Sequence, residues 1–378
     1  MTTLTVAILT HSYFPYMGGA ERQIQALAPR LHTRGVDIHV VTRKYKGLKS
    51  FEVIQDVPVH RIPIPGPKAI AAVFYIVGTV RLLQSLRPQV IHAFDLLSPT
   101  TAAVLAKLWL GTPIIAKVLR GGILGDVYKL HHRFWGRSRL SLLRRYVDAF
   151  VVISSEIDTE LQNAGIDSNR REDLPNGVNT EKFAPVSKYE KNALRAQLGF
   201  SRDAFILVYA GRLEPEKRVE HLLTIWPKIL EKHNNAILVI VGSGSEEARL
   251  RSQAGTAIHF YGYVDEILPY LQSADLFVLP SITEGMSNAM LEALSTGLPV
   301  VVTRVGAAMD VISERVNGLS VPPDDPQALL SGILEVMDSP SLQAQMGAAG
   351  REYVQEHYSL EDVAERLCSL YYRLANTK

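Results

Sequence analysis

The stretch Leu276-Phe277-Val278-Leu279-Pro280-Ser281-Ile282-Thr283-Glu284-Gly285-Met286-Ser287-Asn288-Ala289-Met290-Leu291-Glu292-Ala293 changes character twice. Four apolar residues read as a buried strand, the run from Pro280 to Ser287 as a loop, and the rest as a helix that Ser287 or Asn288 can cap. A helix begun in this way leaves its early N–H groups facing outward at the carboxyl end of the strand. Strand, loop and helix in that order make one half of a βαβ unit.

Working outward, the same alternation recurs on both sides. Strands are expected near Ala204–Tyr209, Ile237–Val241, His259–Tyr261, Val300–Thr303 and Leu319–Val321. Upstream, Thr5–Leu9, Val36–Val41, Gln89–His92, Pro113–Val118 and Ala149–Ile153 read as buried parallel strands. Between them lie segments such as Ala20–Arg34, where Ile24, Leu27, Ala28 and Leu31 recur at helical steps. The turn-rich run Pro175–Pro185 and the charged stretch Lys188–Arg195 separate the two series. The reading is therefore two α/β domains, 1–182 and 183–358, with helices at Leu342–Tyr358 and Leu360–Leu374 closing the chain. A length of 378 residues suits two domains.

Composition narrows the class. The single Cys368 cannot form an intramolecular bridge, and no Cys/His spacing suggests structural zinc. Met1 to Thr5 runs into a strand without the charged and apolar regions of a secretory signal, so a cytoplasmic protein is expected. The longest uncharged apolar run, Ile70–Val80, has 11 residues, and Lys107 interrupts Thr101–Ala116, whereas a membrane span needs ~20. No bilayer-crossing segment is expected. Residues 1–182 hold 23 Lys+Arg against 14 Asp+Glu, and residues 183–378 hold 17 against 24. Such asymmetry points to different partners for the two halves, an anionic one for the first.

Three stretches carry chemistry. His11-Ser12-Tyr13-Phe14-Pro15-Tyr16-Met17-Gly18-Gly19-Ala20-Glu21 puts a glycine pair at a strand-to-helix turn, where positive φ and bare N–H groups would suit a diphosphate, or merely a tight turn. Gly211-Arg212-Leu213-Glu214-Pro215-Glu216-Lys217-Arg218 follows a strand, where Arg212 and Lys217 can neutralise a leaving diphosphate without a metal, or simply be solvated. In the opening stretch, Glu284 and Glu292 stand at different depths, one fit for a sugar hydroxyl and the other for a ribose diol. Taken singly, each glutamate is more ordinarily a solvated carboxylate.

Together, Gly18-Gly19-Ala20-Glu21, Gly211-Arg212-Leu213 with Lys217, and Glu284 followed eight positions later by Glu292 resemble the family 4 retaining glycosyltransferases, in this order and across nearly the whole chain. Phe260-Tyr261-Gly262-Tyr263-Val264 and Gly297-Leu298-Pro299-Val300-Val301 fit the same pattern. The resemblance implies an α/β protein of two Rossmann-like domains facing a cleft, the GT-B build, with a C-terminal helix, 359–378, crossing back to the N-terminal domain. It implies that Glu292 holds the donor ribose, Glu284 the donor sugar, Arg212 and Lys217 the diphosphate, and the Tyr263-Val264 backbone the base. Gly18, Gly19, Gly285 and the helix start at Met286, Ser287 and Asn288 would complete the donor cradle. No metal and no cofactor are implied, the nucleotide sugar being a substrate.

One departure stands out. Members of that family commonly carry His-Gly after the strand that here ends at Val118, but this chain reads Leu119-Arg120-Gly121-Gly122. A guanidinium cannot accept a proton, so Arg120 suits a phosphate of the acceptor or a structural pairing instead. His92 reads as a packed strand-end histidine. Lys129–Arg145 mixes six Lys or Arg residues with Leu130, Phe134, Trp135, Leu140, Leu142 and Leu143, either a solvated face or a basic helix for an anionic membrane. The expected activity is retaining transfer of a hexose from a UDP-sugar to a glycan or lipid-linked saccharide in polysaccharide assembly, at the inner face of the membrane and without nucleic acid. An epimerase of similar build and a silent sugar-nucleotide binder are the alternatives.

Overall fold

The computed structural model describes residues 3–132 and 136–376, apart from the side chain of Lys68. The chain forms two compact units, one of residues 1–176 with 360–378 and one of residues 177–359. The boundary falls at Asn176-Gly177, within the turn-rich run.

The first unit holds eight strands: β1 Leu4–Leu9, β2 Val36–Lys44, β3 Phe51–Ile54, β4 Val57–Pro63, β5 Val90–Phe94, β6 Ile114–Lys117, β7 Ala149–Val152 and β8 Arg171–Asp173. Their spatial order is β3-β4-β2-β1-β5-β6-β7-β8, every pair parallel except β3 with β4. Strands such as β5 and β7 are buried at every position, which explains sequences that are apolar throughout in β7 and apolar but for His92 in β5. The β3–β4 hairpin was not expected. Its turn residues Gln55 and Asp56 both have positive φ, 48° and 64°, the conformation that Asn-Gly usually marks. β8 was missed because its residues, Arg-Glu-Asp, carry no apolar signal.

Helices cover the sheet. α1 (Gly19–Thr33) follows β1, α2 (Lys68–Leu86) joins β4 to β5, and α3 (Ser98–Leu110) joins β5 to β6. The basic stretch is two helices, α4 (Asp126–His131) and α5 (Gly136–Tyr146). Phe134 and Trp135 of that expectation lie outside the described residues. The last helix, Leu360–Ala375, packs on α1, with Arg30 Nε 2.5 Å from Glu361 Oε1, and buries Val363, Leu367, Leu370 and Tyr371.

Counting uncharged residues stops at Arg81, but Ala69–Leu86 as a helix is long and apolar enough to cross a membrane by length and composition. It is the one such helix among the described residues.

The second unit is a six-stranded sheet, all parallel, in the order β11-β10-β9-β12-β13-β14. Its strands are β9 Phe205–Ala210, β10 Ala236–Val241, β11 Ile258–Gly262, β12 Leu276–Leu279, β13 Val300–Thr303 and β14 Leu319–Val321. In both units the chain starts mid-sheet, builds one side and then crosses to the other. The carboxyl ends of β1 with β5, and of β9 with β12, are therefore topological switch points, where open α/β sheets bind ligands.

Candidate functional site

Register brings the second unit's two loops to the same level. Val208 of β9 faces Phe277 of β12, so Gly211-Arg212 and Pro280-Ser281 leave the sheet side by side. Ile282 N donates to Glu216 O at 2.9 Å, and Thr303 Oγ1 donates to Ser281 O at 2.5 Å, which fixes the start of the second loop. Tyr209, fully buried, donates from its hydroxyl to Arg212 O at 2.8 Å and fixes the first. Burial, and then the nearby Glu284 charge, push that hydroxyl's pKa well above its ordinary value, so it stays a donor.

At this edge Lys217 Nζ lies 2.5 Å from Glu284 Oε1, and Ser281 Oγ donates to the same oxygen at 2.7 Å. The two charged side chains expose only 11% and 12% of their surface, so their attraction is little screened. Arg212 is half-exposed and stands 3.5 Å from Glu216, a loose pairing that an incoming anion can displace. The sequence thus named three residues that the fold gathers, but it gave Lys217 to a diphosphate and Glu284 to a sugar. Lys217 and Glu284 also pair with each other.

Ser287 caps the helix Asn288–Ser295, its hydroxyl accepting from Met290 N at 3.2 Å. Gly285 and Met286 are buried beneath this turn, Ser287 and Asn288 partly exposed above it. Glu292, half-buried, sits farther along the helix, and Tyr263 and Val264 follow β11 at the sheet's edge with Tyr263 exposed.

Two glycines that the sequence reading passed over shape the site. Gly242, after β10, has φ 137°, and a Cβ there would lie 1.8 Å from Gly211 O. Gly306 has φ 53°, and its Cβ would meet Gly285 O at 2.5 Å. No side chain fits either place, so backbone packs directly on the two loops. Their signal was a glycine just after a strand, as in Gly242-Ser243-Gly244-Ser245.

The first unit's switch point is built differently. Leu9 faces both Val41 and Ala93, so His11 and Asp95, each two residues beyond, emerge together. His11 Nε2 and the Asp95 carboxylate are in direct contact, and that carboxylate also accepts from Leu97 N at 2.5 Å. Neither residue was singled out from the sequence, because only strand pairing makes them neighbours. Asp126 is buried nearby, and desolvation, followed by the Asp95 charge, pushes its pKa up to about 6. Arg120, half-buried, follows β6, and its carbonyl accepts from Asp126 N at 3.2 Å.

The glycine pair is corrected in its reason. Gly18 has φ −105°, and Gly19 begins α1, so neither relies on the left-handed region. At Gly18 the end of the Glu21 side chain lies 2.8 Å from where a Cβ would stand. That carboxylate accepts from Gly18 N at 2.9 Å and from Ser12 Oγ at 2.8 Å, tying the loop to the helix. His92 is packed: its Nδ1 lies 2.7 Å from the Tyr371 hydroxyl, and burial with the Lys117 charge lowers its pKa to about 3. Among the described residues no group of three or more His, Cys, Asp or Glu is placed to hold a metal ion.

Two family models match in chain order, Glycosyltransferase Family 4 over residues 17–182 and Glycosyl transferases group 1 over residues 190–353. A GDP-mannose-dependent alpha-mannosyltransferase of Mycobacterium tuberculosis is 30% identical over 85% of this chain and 85% of its own. An uncharacterized glycosyltransferase of Methanocaldococcus jannaschii is 29% identical over 97% and 98%. The fold of Anabaena HepE, solved in complex with UDP-glucose, superposes with a TM-score of 0.82 at 18% identity, over 98% of this chain and 100% of that one. Both halves matching in their proper order, alongside a relative of that identity and reach, place the chain in the family 4 glycosyltransferases, of the two-domain GT-B build.

Proposed function

We propose that the protein transfers a hexose, with retention at the anomeric carbon, from a nucleoside diphosphate sugar to a glycan or lipid-linked saccharide in polysaccharide assembly. The observation that supports this most is the Lys217–Glu284 pair with Arg212 at the β9/β12 switch point. A donor diphosphate entering there takes Arg212 and Lys217 as counter-charges and frees Glu284 to accept from a sugar hydroxyl. The N–H groups at the start of Asn288–Ser295 add positive potential as the glycosidic bond breaks. Glu292 accepts from the ribose, and the Tyr263-Val264 backbone meets the base. The departing phosphate oxygen takes the acceptor's proton, so no side-chain base and no divalent metal are needed. Arg120 binds a phosphate of the acceptor.

Uracil is the base proposed, as part of a UDP-sugar, supported by the ligand in the HepE structure; the GDP-mannose relative makes a GDP-sugar the competitor to test. The test is a panel of UDP-, GDP- and ADP-sugars scored for thermal stabilisation and for nucleoside diphosphate release, with EDTA present. One donor should stand out on both readouts, and the product's anomeric configuration should match the donor's by NMR. Turnover without diphosphate release would mean an epimerase, and an inverted product would remove the retaining step.

A further inference from the structure

The solvent face of α2 is apolar where a surface helix is ordinarily polar. Ile70, Val73, Phe74 and Val77 recur at three- and four-residue steps and are exposed, and only 17% of residues 69–86 are buried. α3 packs beside α2 and continues the surface with Leu105, Leu108 and Trp109, the last 76% exposed. α5 packs in turn on α3, where Arg139 donates to Thr101 Oγ1, and adds exposed Leu142. Adjacent helices thus form one contiguous apolar layer on one side of the sheet, the kind of patch that marks an interaction surface.

Charge identifies the occupant. From Val57 to Val147 the sequence holds 13 Lys+Arg and just two acids, Asp95 and Asp126, and both are buried. α2, α3 and α5 contain no Asp or Glu. Exposed Arg81, Arg137, Arg144 and Arg145 stand on these same helices. The next acid, Asp148, is part-buried and paired with Lys107 of α3, so the exposed layer is apolar and basic, which fits a bilayer leaflet bearing anionic headgroups. The acyl region takes the side chains of α2 and α3, and the phosphates take the guanidiniums.

We propose that the α2–α3 face, rimmed by the arginines of α5, seats the first unit on an anionic membrane, with α2 lying in the interface plane. α2 does not span the bilayer, because its other face belongs to the fold. Tyr75, Thr79 and Leu83 are buried in the unit, and the Tyr75 hydroxyl donates to Thr10 O at 3.2 Å. The seat moves the expected contact from the basic stretch alone to an apolar surface that the stretch borders. It is independent of the transferase reading, because lipid binding is measured without donor or acceptor.

The test uses the full chain and vesicles of phosphatidylcholine with or without phosphatidylglycerol. The wild type should co-sediment with anionic vesicles, and part of that binding should survive high salt, since apolar insertion is not screened. Brominated lipid should quench tryptophan emission, and Trp109→Phe should remove most of the quenching. Val73→Gln, Phe74→Gln and Val77→Gln together should weaken partitioning at least about tenfold. The thermal midpoint of the triple variant should match the wild type, because all three side chains already face solvent. Unchanged sedimentation of the triple variant, or no quenching of the wild type, overturns the seat. A wild type that ignores vesicles but dimerises, with the triple variant monomeric, assigns the face to a second copy instead.

Discussion

The β1/β5 edge of the first unit and the β9/β12 edge of the second share one backbone plan yet carry charge in opposite ways. At the second edge the charges sit in loops, Lys217 against Glu284, with Arg212 held loosely and the helix start close by. At the first edge His11 and Asp95 pair directly off the strand ends, and the capping carboxylate of Glu21 is already consumed by backbone and Ser12. A parallel sheet therefore decides where a ligand can bind but not which one. On the proposed reading the second edge meets a diphosphate with Lys217 and the more loosely held Arg212, while the first is a paired frame with Arg120 following β6.

The sharpest way to break that contrast is Lys217→Ala. If Lys217 meets the growing charge on the leaving diphosphate, turnover should fall by ~10²-fold or more, with a smaller change in donor affinity. Turnover within about threefold of wild type would take the leaving group away from Lys217. Glu292→Gln comes next. Loss of a charged acceptor costs ~1.5 to 3 kcal/mol, so calorimetry should show roughly ten- to a hundredfold weaker binding of the free nucleoside diphosphate. Equal affinities would remove Glu292 from the donor site.

Arg120→Ala probes the other edge. The KM for a phosphate-bearing acceptor should rise roughly tenfold while slow hydrolysis of the donor stays unchanged. Equal losses in both assays would erase the division of labour between the units.

The smallest effect is a matter of stability. Asp126 has a folded pKa raised to about 6, above its unfolded value of ~3.9. Its burial therefore costs nothing below that unfolded value, costs more as pH rises through the window up to about 6, and is fully felt above it. Asp126→Asn should leave Tm nearly unchanged in acid and raise it by several degrees at neutral pH. A pH-independent difference would mean that Asp126 is paired better than its surroundings suggest.

Much of this was legible in the residues. Unbroken apolar runs such as Ile206–Tyr209 betray strands buried on both faces, and charged loops after them mark the binding edge. The gathering of Arg212, Lys217 and Glu284 at the second edge was legible because each is close in sequence to its strand. The β3–β4 hairpin escaped because Gln55-Asp56 adopts a turn without the usual glycine. The His11–Asp95 pair escaped because it exists only through β1–β5 register. The glycine pair was read for positive φ, whereas Gly18 is extended and the Glu21 carboxylate stands close to where its side chain would lie. The exposed apolar face of α2 was hidden by Arg81, which ends an uncharged run without ending the helix.

The returning helix Leu360–Ala375 has a consequence for synthesis. The second unit, 177–359, is continuous in sequence and leaves the ribosome whole, whereas the first lacks Val363, Leu367, Leu370 and Tyr371 until the helix that follows the second unit is made. Domains generally fold as units during translation. Here the order is inverted, for the unit that begins first is completed last. Until then α1 and β5 present bare apolar surface, and His92 waits for the Tyr371 hydroxyl. A chain that stops after Ser359 keeps every donor-side residue named above but leaves the first unit open, a substrate for chaperones and proteases.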